Sequence, residues 1–227
     1  SRWDNCHDSN SPWTTPVATG ALIYFWANDG TNGYELWKSD GTETGTVMVK
    51  DINSGVGSFG YSDIVLFGNT LFFSATNDPN RNDFQLWKSD GTETGTVMVK
   101  ELDLKSADGG ELTVAGNTLF FKAWDRSYVN TPGATDKGIE LWKTDGTEAG
   151  TVMVKDIFTP ESASSNIRYF TSFGDVYFVA YDGTHGYELW KSGGTEASTV
   201  MVKDINTVPL NSCLLYTSDA ADEKYRG

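Results

Sequence analysis

The sequence has few of the residues on which metal centres and disulfide frameworks depend. Its 227 residues contain two cysteines and two histidines, which are Cys6, Cys213, His7 and His185. One distant cysteine pair provides no disulfide framework, and zinc sites usually combine several Cys and His ligands. The sequence therefore predicts neither a disulfide-stabilised domain nor a zinc centre.

Long apolar runs and common catalytic motifs are also missing. No run of 18 apolar residues is present, so no transmembrane helix is predicted, and the first residues lack the pattern of a signal peptide. Neither the G-x-S-x-G motif of many hydrolases nor the G-x-x-x-x-G-K phosphate loop occurs. Neither of these two motifs therefore marks a catalytic nucleophile or a phosphate loop.

Basic charge is scarce as well. The chain has 17 Lys and Arg residues against 31 Asp and Glu residues, which gives a formal net charge of -14. Proteins that bind nucleic acid neutralise phosphates with a basic surface. This balance predicts no nucleic-acid partner.

What the sequence does have is a repeat. The segment ELWKSDGTETGTVMVKDI recurs with few changes around Trp37, Trp87, Trp142 and Trp190, at spacings of 50, 55 and 48 residues. Repeats of this length are typical of propeller blades and solenoid units. Turn residues divide each copy into four short strands, and runs such as Leu71-Phe72-Phe73 are apolar on both faces, as in a sheet covered on both sides. We predict an all-β fold: a β-propeller, or a partial propeller arc, of four four-stranded antiparallel blades.

The repeats also predict the domain boundaries. The four copies span residues 16–52, 63–102, 111–157 and 168–205 and form one β-propeller-like domain over residues 16–205. Residues 1–15 are predicted to be a linker or a disordered segment. Residues 206–227 are predicted to be a tail, and within it residues 213–227 resemble a translated sequencing adapter, which is an artefact. The sequence does not begin with Met, and we expect it to be a fragment of a longer protein.

The positions that recur in the copies carry a resemblance to a known family. Glu35-Leu36-Trp37, followed by Asp40-Gly41-Thr42 and Gly45-Thr46, resembles the ELWxxDGT repeat family. The resemblance implies an extracellular repeat module of secreted or surface-attached microbial proteins, with no established enzymatic activity. Three residues depart from the motif, and we expect them to weaken turns: Gln85, Gly193 and Ser198.

Residues that recur in every copy are interpreted as scaffold. The motif tryptophans are predicted to pack one blade on the next. The repeated acids are predicted to pair with the lysines of the fourth strand or with backbone; the acids are Glu35, Glu140, Glu188, Asp51, Asp156 and Asp204, and the lysines are Lys50, Lys155 and Lys203. Asp40, Asp90 and Asp145 are predicted to close the turn between the third and fourth strands by accepting N–H bonds, an acceptor that copy four loses at Gly193.

Function is instead sought where the copies differ. In an up-and-down sheet the second-to-third turns and the inter-blade connections share one face, so the variable loops gather there, and such loops often carry binding residues. The loops span residues 28–33, 76–83, 124–138 and 182–186, and the connections span residues 53–62, 103–110 and 158–167. The ligand-binding candidates on this face are Arg81, Asp83, Trp124, Asp125, Arg126, Tyr128 and His185.

Calcium is a possible cofactor on the same face. Asp29, Asp125 and Asp182 offer hard oxygen ligands, but none lies in a D-x-D-x-D-G segment that would supply several ligands together. Ordinary Asp-Gly turns are the alternative explanation for Asp29 and Asp182, and Asp125 lies at the equivalent place in copy three.

These observations predict a non-enzymatic binding or adhesion module that presents variable loops to a glycan, a protein or the cell envelope, and the family resemblance implies that the module is extracellular. One alternative is a polysaccharide-active enzyme, either a glycoside hydrolase or a lyase, that uses Asp83, Asp125, Arg126 and His185. A second alternative is a structural spacer without a ligand.

Overall fold

The computed structural model describes residues 15–54, 64–78, 84–104, 111–125, 135–160, 163–205 and 207. Over these residues the protein is all-β, with sixteen strands in four sheets and no helix. The described part of the chain accordingly has no helix long and apolar enough to cross a membrane.

Each sheet, which we call a blade, contains four consecutive strands. Blade 1 consists of β1 (Val17–Thr19), β2 (Leu22–Asn28), β3 (Tyr34–Ser39) and β4 (Val47–Lys50). Blade 2 consists of β5 (Val65–Phe67), β6 (Thr70–Ala75), β7 (Gln85–Ser89) and β8 (Val97–Lys100). Blade 3 consists of β9 (Thr113–Ala115), β10 (Thr118–Trp124), β11 (Ile139–Thr144) and β12 (Val152–Lys155). Blade 4 consists of β13 (Arg168–Phe173), β14 (Asp175–Tyr181), β15 (Tyr187–Ser192) and β16 (Val200–Lys203).

Every blade is an up-and-down antiparallel sheet whose spatial strand order follows the chain. The predicted fold class is therefore confirmed as a four-bladed arc. The first strands lie side by side, β1 next to β5, β5 next to β9, and β9 next to β13. The first strands thus lie at the centre of the arc, and the fourth strands lie at its periphery.

The tight turn between the first and second strands explains why its sequence varies. Its first residue is glycine in every blade and has a positive φ of 59° to 74°. The second residue is Ala21, Asn69, Asn117 or Asp175, and none of these is among the described residues with positive φ. Hairpins of this kind need glycine only at the first turn position, which is why the second position can change.

The hydrophobic core lies between the blades and not within any one of them. Because side chains alternate along a strand, each blade has a leading face toward the previous blade and a trailing face toward the next. One core cluster combines Leu36 from the trailing face of blade 1 with Phe73 and Trp87 from the leading face of blade 2. Equivalent clusters join blade 2 to blade 3 and blade 3 to blade 4. Each blade therefore depends on its neighbour for burial.

The motif tryptophans occupy this boundary, as predicted. Trp87, Trp142 and Trp190 are 6%, 3% and 7% exposed, and each packs on the preceding blade. Trp37, in the first blade, is only half-buried. The motif tryptophan is therefore buried only in blades that have a preceding blade.

The predicted pairing of the fourth-strand lysines with the repeated aspartates was wrong for Lys50 and Lys155. The Lys50 Nζ donates to the carbonyl oxygen of Thr96 in the next blade at 2.9 Å, and Lys155 makes the same bond to Thr199 at 2.9 Å. Asp156 instead pairs with Lys137 at 3.0 Å. The reason is geometric, because the long lysine side chain reaches the turn carbonyls of the neighbouring blade.

The turn between the third and fourth strands closes as predicted, with one correction. Asp40 Oδ1 accepts the Thr42 N–H at 2.9 Å, and Asp90 and Asp145 do the same in blades 2 and 3. Blade 4 has no aspartate here, yet the Ser198 hydroxyl accepts the Thr195 N–H at 3.1 Å. Copy four therefore replaces the lost acceptor.

Candidate functional site

The variable loops and the inter-blade connections do meet on one face. The connection before blade 3 pairs with the end of β10, where the Trp124 N–H donates to the Asp103 carbonyl at 2.8 Å. The connection before blade 4 pairs with the end of β14, where the Tyr181 N–H donates to the Ser165 carbonyl at 2.8 Å. We call this side of the arc the loop face.

Buried glutamates hold the connections in place. The Glu140 side chain is fully buried at the start of β11 and accepts the N–H groups of Ile157 and Ser165 at 2.9 and 3.1 Å. Glu35 accepts the N–H groups of Ile52 and Asn53 at 2.9 and 3.1 Å. The prediction that these repeated acids pair with backbone is thereby confirmed.

Burial also changes the acidity of these glutamates. Loss of solvent raises the pKa of Glu140 to about 8 and the pKa of Glu35 to about 7, and their hydrogen bonds only partly oppose this. Their side chains are enclosed at the base of the loop face and are structural.

Trp124, the first predicted binding residue, is committed to its own loop. The ring of this half-buried side chain donates its Nε1–H to Asp136 Oδ1 at 2.7 Å, and the same oxygen accepts the Gly138 N–H at 2.8 Å. Trp124 thus anchors the two ends of the longest loop. Asp125 follows it and is half-buried. Four other predicted residues lie outside the described residues: Arg81, Asp83, Arg126 and Tyr128.

Two of the calcium candidates use their carboxylates to close turns. Asp29 Oδ1 accepts the N–H groups of Thr31 and Asn32, each at 2.8 Å, and Oδ2 accepts an N–H of the Asn32 side chain at 2.7 Å. These bonds, led by the Asn32 backbone, lower the pKa of Asp29. Among the described residues no group of three or more His, Cys, Asp or Glu side chains is placed to hold a metal ion. The Asp-Gly turn interpretation therefore accounts for Asp29.

The equivalent loop of blade 4 contains His185. Asp182 Oδ1 accepts the N–H groups of Thr184 and His185, each at 2.9 Å, and Asp182 Oδ2 lies 2.7 Å from His185 Nδ1. The hydrogen bond to Asp182 raises the pKa of His185. Burial of Asp182 opposes ionisation, but the bonds from His185 and Thr184 leave the pKa of Asp182 below its usual value. His185 is thus a held and partly exposed side chain.

A group of aromatic side chains surrounds this loop and was not predicted from the sequence. The Phe158 and Tyr181 rings meet edge to face with centroids 5.2 Å apart, and the Tyr181 and Tyr187 centroids are 5.5 Å apart. The Arg168 guanidinium lies 4.5 Å from the Tyr187 ring centroid and 6.0 Å from that of Tyr169. We call these five residues the aromatic cluster.

Tyr169 has an unusual backbone conformation within the cluster. Its φ is 62°, a left-handed value that is rare for a bulky residue, and the pairing of β13 with β14 is irregular between Arg168 and Thr171. The side chain is 70% exposed, and that of Tyr187 is 52% exposed. A strained residue that displays an aromatic ring to solvent is a candidate for function.

A signal for this cluster was present in the differences between copies. The last residue of the second strand is Tyr181 in blade 4, where blade 1 has Asn28. Arg168 and Tyr169 open a first strand that is twice as long as those of the other blades, with six residues against three. The predicted binding residues were assigned to the variable loops, whereas Arg168, Tyr181 and Tyr187 lie at the ends of strands.

The comparisons with known proteins bear on the fold alone. No family model matches the sequence, and no curated protein matches it either. Among solved structures, the chain is similar to an acylaminoacyl peptidase from Pyrococcus horikoshii, with 9% identity and a TM-score of 0.50 over 86% of this chain and 28% of that one. It is also similar to a puromycin hydrolase mutant complexed with PGG, with 12% identity and a TM-score of 0.51 over 83% of this chain and 30% of that one. The chain therefore spans less than a third of either protein.

Proposed function

We propose that the protein is a non-enzymatic binding module whose ligand contacts the aromatic cluster and His185 on the loop face of blade 4. The observation that carries this proposal is the exposure of Tyr169 and Tyr187 around Arg168, beside the loop held by Asp182. The residues common to all copies pack between blades, whereas this cluster belongs to one copy.

A glycan is the ligand class that suits this surface best. Tyrosine rings present a flat apolar face together with a polar hydroxyl, and such amphipathic rings stack on sugar faces while neighbouring groups bond the sugar hydroxyls. Arg168 and His185 are the polar side chains at hand, and both are partly exposed. A protein ligand is the second candidate, since Tyr and Arg are also common at protein interfaces.

The polysaccharide-active alternative has less support. A glycosidase needs two carboxyl groups facing one bond of the sugar. Of the residues that this alternative uses, Asp83 and Arg126 lie outside the described residues, and His185 is bonded to Asp182 within its own turn. We therefore favour binding over catalysis.

The family and the location are proposed on the motif. The recurring ELW and DGT segments support membership of the ELWxxDGT repeat type, and with it an extracellular or surface-attached adhesion role. Recovery of the uninterrupted reading frame from genomic DNA tests this, because a cytoplasmic domain fused in the same frame would contradict it.

Affinity gel electrophoresis with soluble xylan, mixed-linkage glucan and pectin tests the binding function. We expect retardation by at least one polysaccharide, with affinity reduced roughly tenfold by Tyr187→Ala and by Tyr169→Ala, because each loses a stacking surface. Tyr34→Ala is the matched control, because Tyr34 opens the third strand of blade 1 as Tyr187 opens that of blade 4.

Two results would reject the proposal. One is binding that Tyr169→Ala and Tyr187→Ala leave unchanged. The other is release of new reducing ends from the polysaccharide that Asp182→Asn abolishes, which would support the enzyme alternative instead.

A further inference from the structure

The three joints between successive blades are built in the same way. In each joint, an aromatic ring of the second strand packs against the turn glycine of the next blade: Tyr24 on Gly91, Phe72 on Gly146, and Phe120 on Gly194. A lysine of the third strand donates its Nζ–H to the carbonyl of that same glycine, from Lys38 and Lys88 at 2.8 Å and from Lys143 at 2.6 Å.

A second lysine and two apolar residues complete each joint. The fourth-strand lysine donates to a threonine carbonyl of the next turn at 2.9 Å in all three joints. In two of the joints it also lies over the next motif tryptophan, with Lys100 5.5 Å from the Trp142 ring centroid and Lys155 5.8 Å from that of Trp190. The apolar residues are covered by the next blade, since Leu36, Leu86 and Leu141 are 0% exposed and Val49, Val99 and Val154 are 5–7% exposed.

Blade 4 has the corresponding residues on its trailing face, but no further blade among the described residues covers them. Leu189 is 39% exposed and Val202 is 47% exposed. Tyr177 pairs with Lys191 across β14 and β15, in the positions that Phe120 and Lys143 occupy in blade 3. Lys203 completes the set at the end of β16 and is exposed.

Blade 1 presents the matching half on its leading face. No atom lies within 4 Å of a Cβ built on Gly41, whereas Gly91, Gly146 and Gly194 all meet an aromatic ring. Ile23 is 43% exposed, while Leu71, Leu119 and Val176 at the same position of the other blades are 0–1% exposed. Trp37 is half-buried beside them.

We propose that the trailing face of blade 4 binds the leading face of blade 1 in a second copy of this chain, head to tail. In the joint, the Tyr177 ring packs on Gly41, Lys191 donates to the Gly41 carbonyl, and Lys203 donates to the Thr46 carbonyl and lies over Trp37. Leu189 and Val202 lose their exposure to water, which is the main driving force.

The stoichiometry of this association follows from its type. A head-to-tail contact uses two different surfaces, so it either closes into a ring or continues as a filament. Two copies joined at both ends would form a ring of eight blades, which is within the usual range for propellers. The aromatic cluster would remain partly accessible in such a ring. Tyr34 and Ile139 occupy the position of Tyr187 in blades 1 and 3, and both are only half-buried although another blade follows theirs.

Sedimentation velocity over a range of protein concentrations tests the association. The chain of 24.9 kDa is expected to form species of at least twice that mass. Val202→Arg is expected to weaken self-association at least about tenfold, because it places an unpaired charge in the joint. Val200→Arg is the matched control on the same strand. The equivalent residues Val47, Val97 and Val152 stay 38–41% exposed in blades that are followed by another blade, and Val200 is 40% exposed. Val200 therefore lies outside the joint.

A mixing experiment distinguishes head-to-tail association from other modes. Ile23→Arg blocks only the leading face and Val202→Arg only the trailing face, so each variant alone is expected to be monomeric, and an equimolar mixture is expected to form a dimer. Lys191→Glu is a second trailing-face variant, and circular dichroism checks that each variant is folded.

Three results would overturn the proposal. The wild-type chain could remain monomeric at all concentrations, which would mean that a segment of the same chain or another protein covers the face. The Ile23→Arg variant could still self-associate, which would indicate contact between two trailing faces. Val200→Arg could disrupt association as strongly as Val202→Arg, which would place the contact elsewhere.

Discussion

At the residue scale, the turn between the third and fourth strands contains two coupled positions. A Cβ on Gly45 would run into the carboxylate of Asp40, and Gly95 and Gly150 stand in the same relation to Asp90 and Asp145. In blade 4 the aspartate position is Gly193, and the coupled glycine position is Ser198, whose hydroxyl accepts the Gly193 N–H at 3.2 Å. The two departures from the motif therefore compensate each other, and the expected weakening of this turn was wrong.

The third departure also has a structural account. Gln85 is 2% exposed and occupies the position that Glu35, Glu140 and Glu188 hold in the other blades. A neutral amide avoids the cost of burying a charge. Blade 2 thus already carries glutamine at this position, which is the change made in Glu140→Gln.

Glu140→Gln is expected to change how stability depends on pH. Burial raises the pKa of Glu140 from 4.5 to about 8, so the stability it contributes is fully present below pH 4.5 and is lost as pH rises through about 8. Urea unfolding between pH 5 and pH 9 should show the free energy of unfolding of the wild type falling with pH relative to that of Glu140→Gln. A difference between the two proteins that stays constant over this range would contradict the raised pKa.

At the element scale, the lysine of the third strand links one blade to the turn of the next. The Lys88 Nζ donates to the Gly146 carbonyl at 2.8 Å. Lys191, at the same position of blade 4, instead lies 3.7 Å from Asp175 within its own blade, with 41% of its side chain exposed. One motif residue therefore has two environments, and only the presence of a neighbouring blade decides between them.

Lys88→Met is expected to destabilise the protein by about 1.5–3 kcal/mol, because it removes a charged hydrogen bond and leaves a carbonyl without its donor. Lys191→Met is the matched control at protein concentrations low enough to keep the chain monomeric, where it should change stability by less than about 1 kcal/mol, since exposed ion pairs contribute little. Thermal or urea unfolding of the two variants measures the difference. Equal effects would mean that the link between blades contributes nothing.

At the scale of the whole molecule, stability depends on contacts between neighbouring blades. Each core cluster draws its buried residues from two blades, so a single sheet has no core of its own. Repeat proteins of this kind gain stability from each interface between neighbours. Removal of a whole blade is therefore expected to lower the stability of the arc, because an interface between blades is lost.

Residues 64–104, which contain blade 2 alone, are expected to be unfolded in isolation. Residues 64–160 contain blades 2 and 3 with the cluster formed by Leu86, Phe121 and Trp142, and they are expected to fold cooperatively. Circular dichroism and thermal unfolding of the two fragments compare them directly. A folded single blade would show that the core between blades is not required.

The four repeats, the four strands in each and the side on which the variable loops lie follow from the amino-acid sequence alone. These features depend on neighbouring residues: glycine at a turn, an aspartate two residues before the N–H it accepts, and alternation along a strand. The predicted role of the tryptophans also followed, because a large apolar residue repeated within a strand must be buried between sheets.

The groups that these residues contact depend on how the chain folds in three dimensions. In each joint, the third-strand lysine and the glycine whose carbonyl it binds are 51 to 58 residues apart. Arg168 contacts Tyr187 only because β13, β14 and β15 lie side by side. Such contacts depend on strand register and on how one blade stacks on the next, and no local pattern encodes either. The proposed binding surface therefore lies where strand ends from different parts of the chain come together.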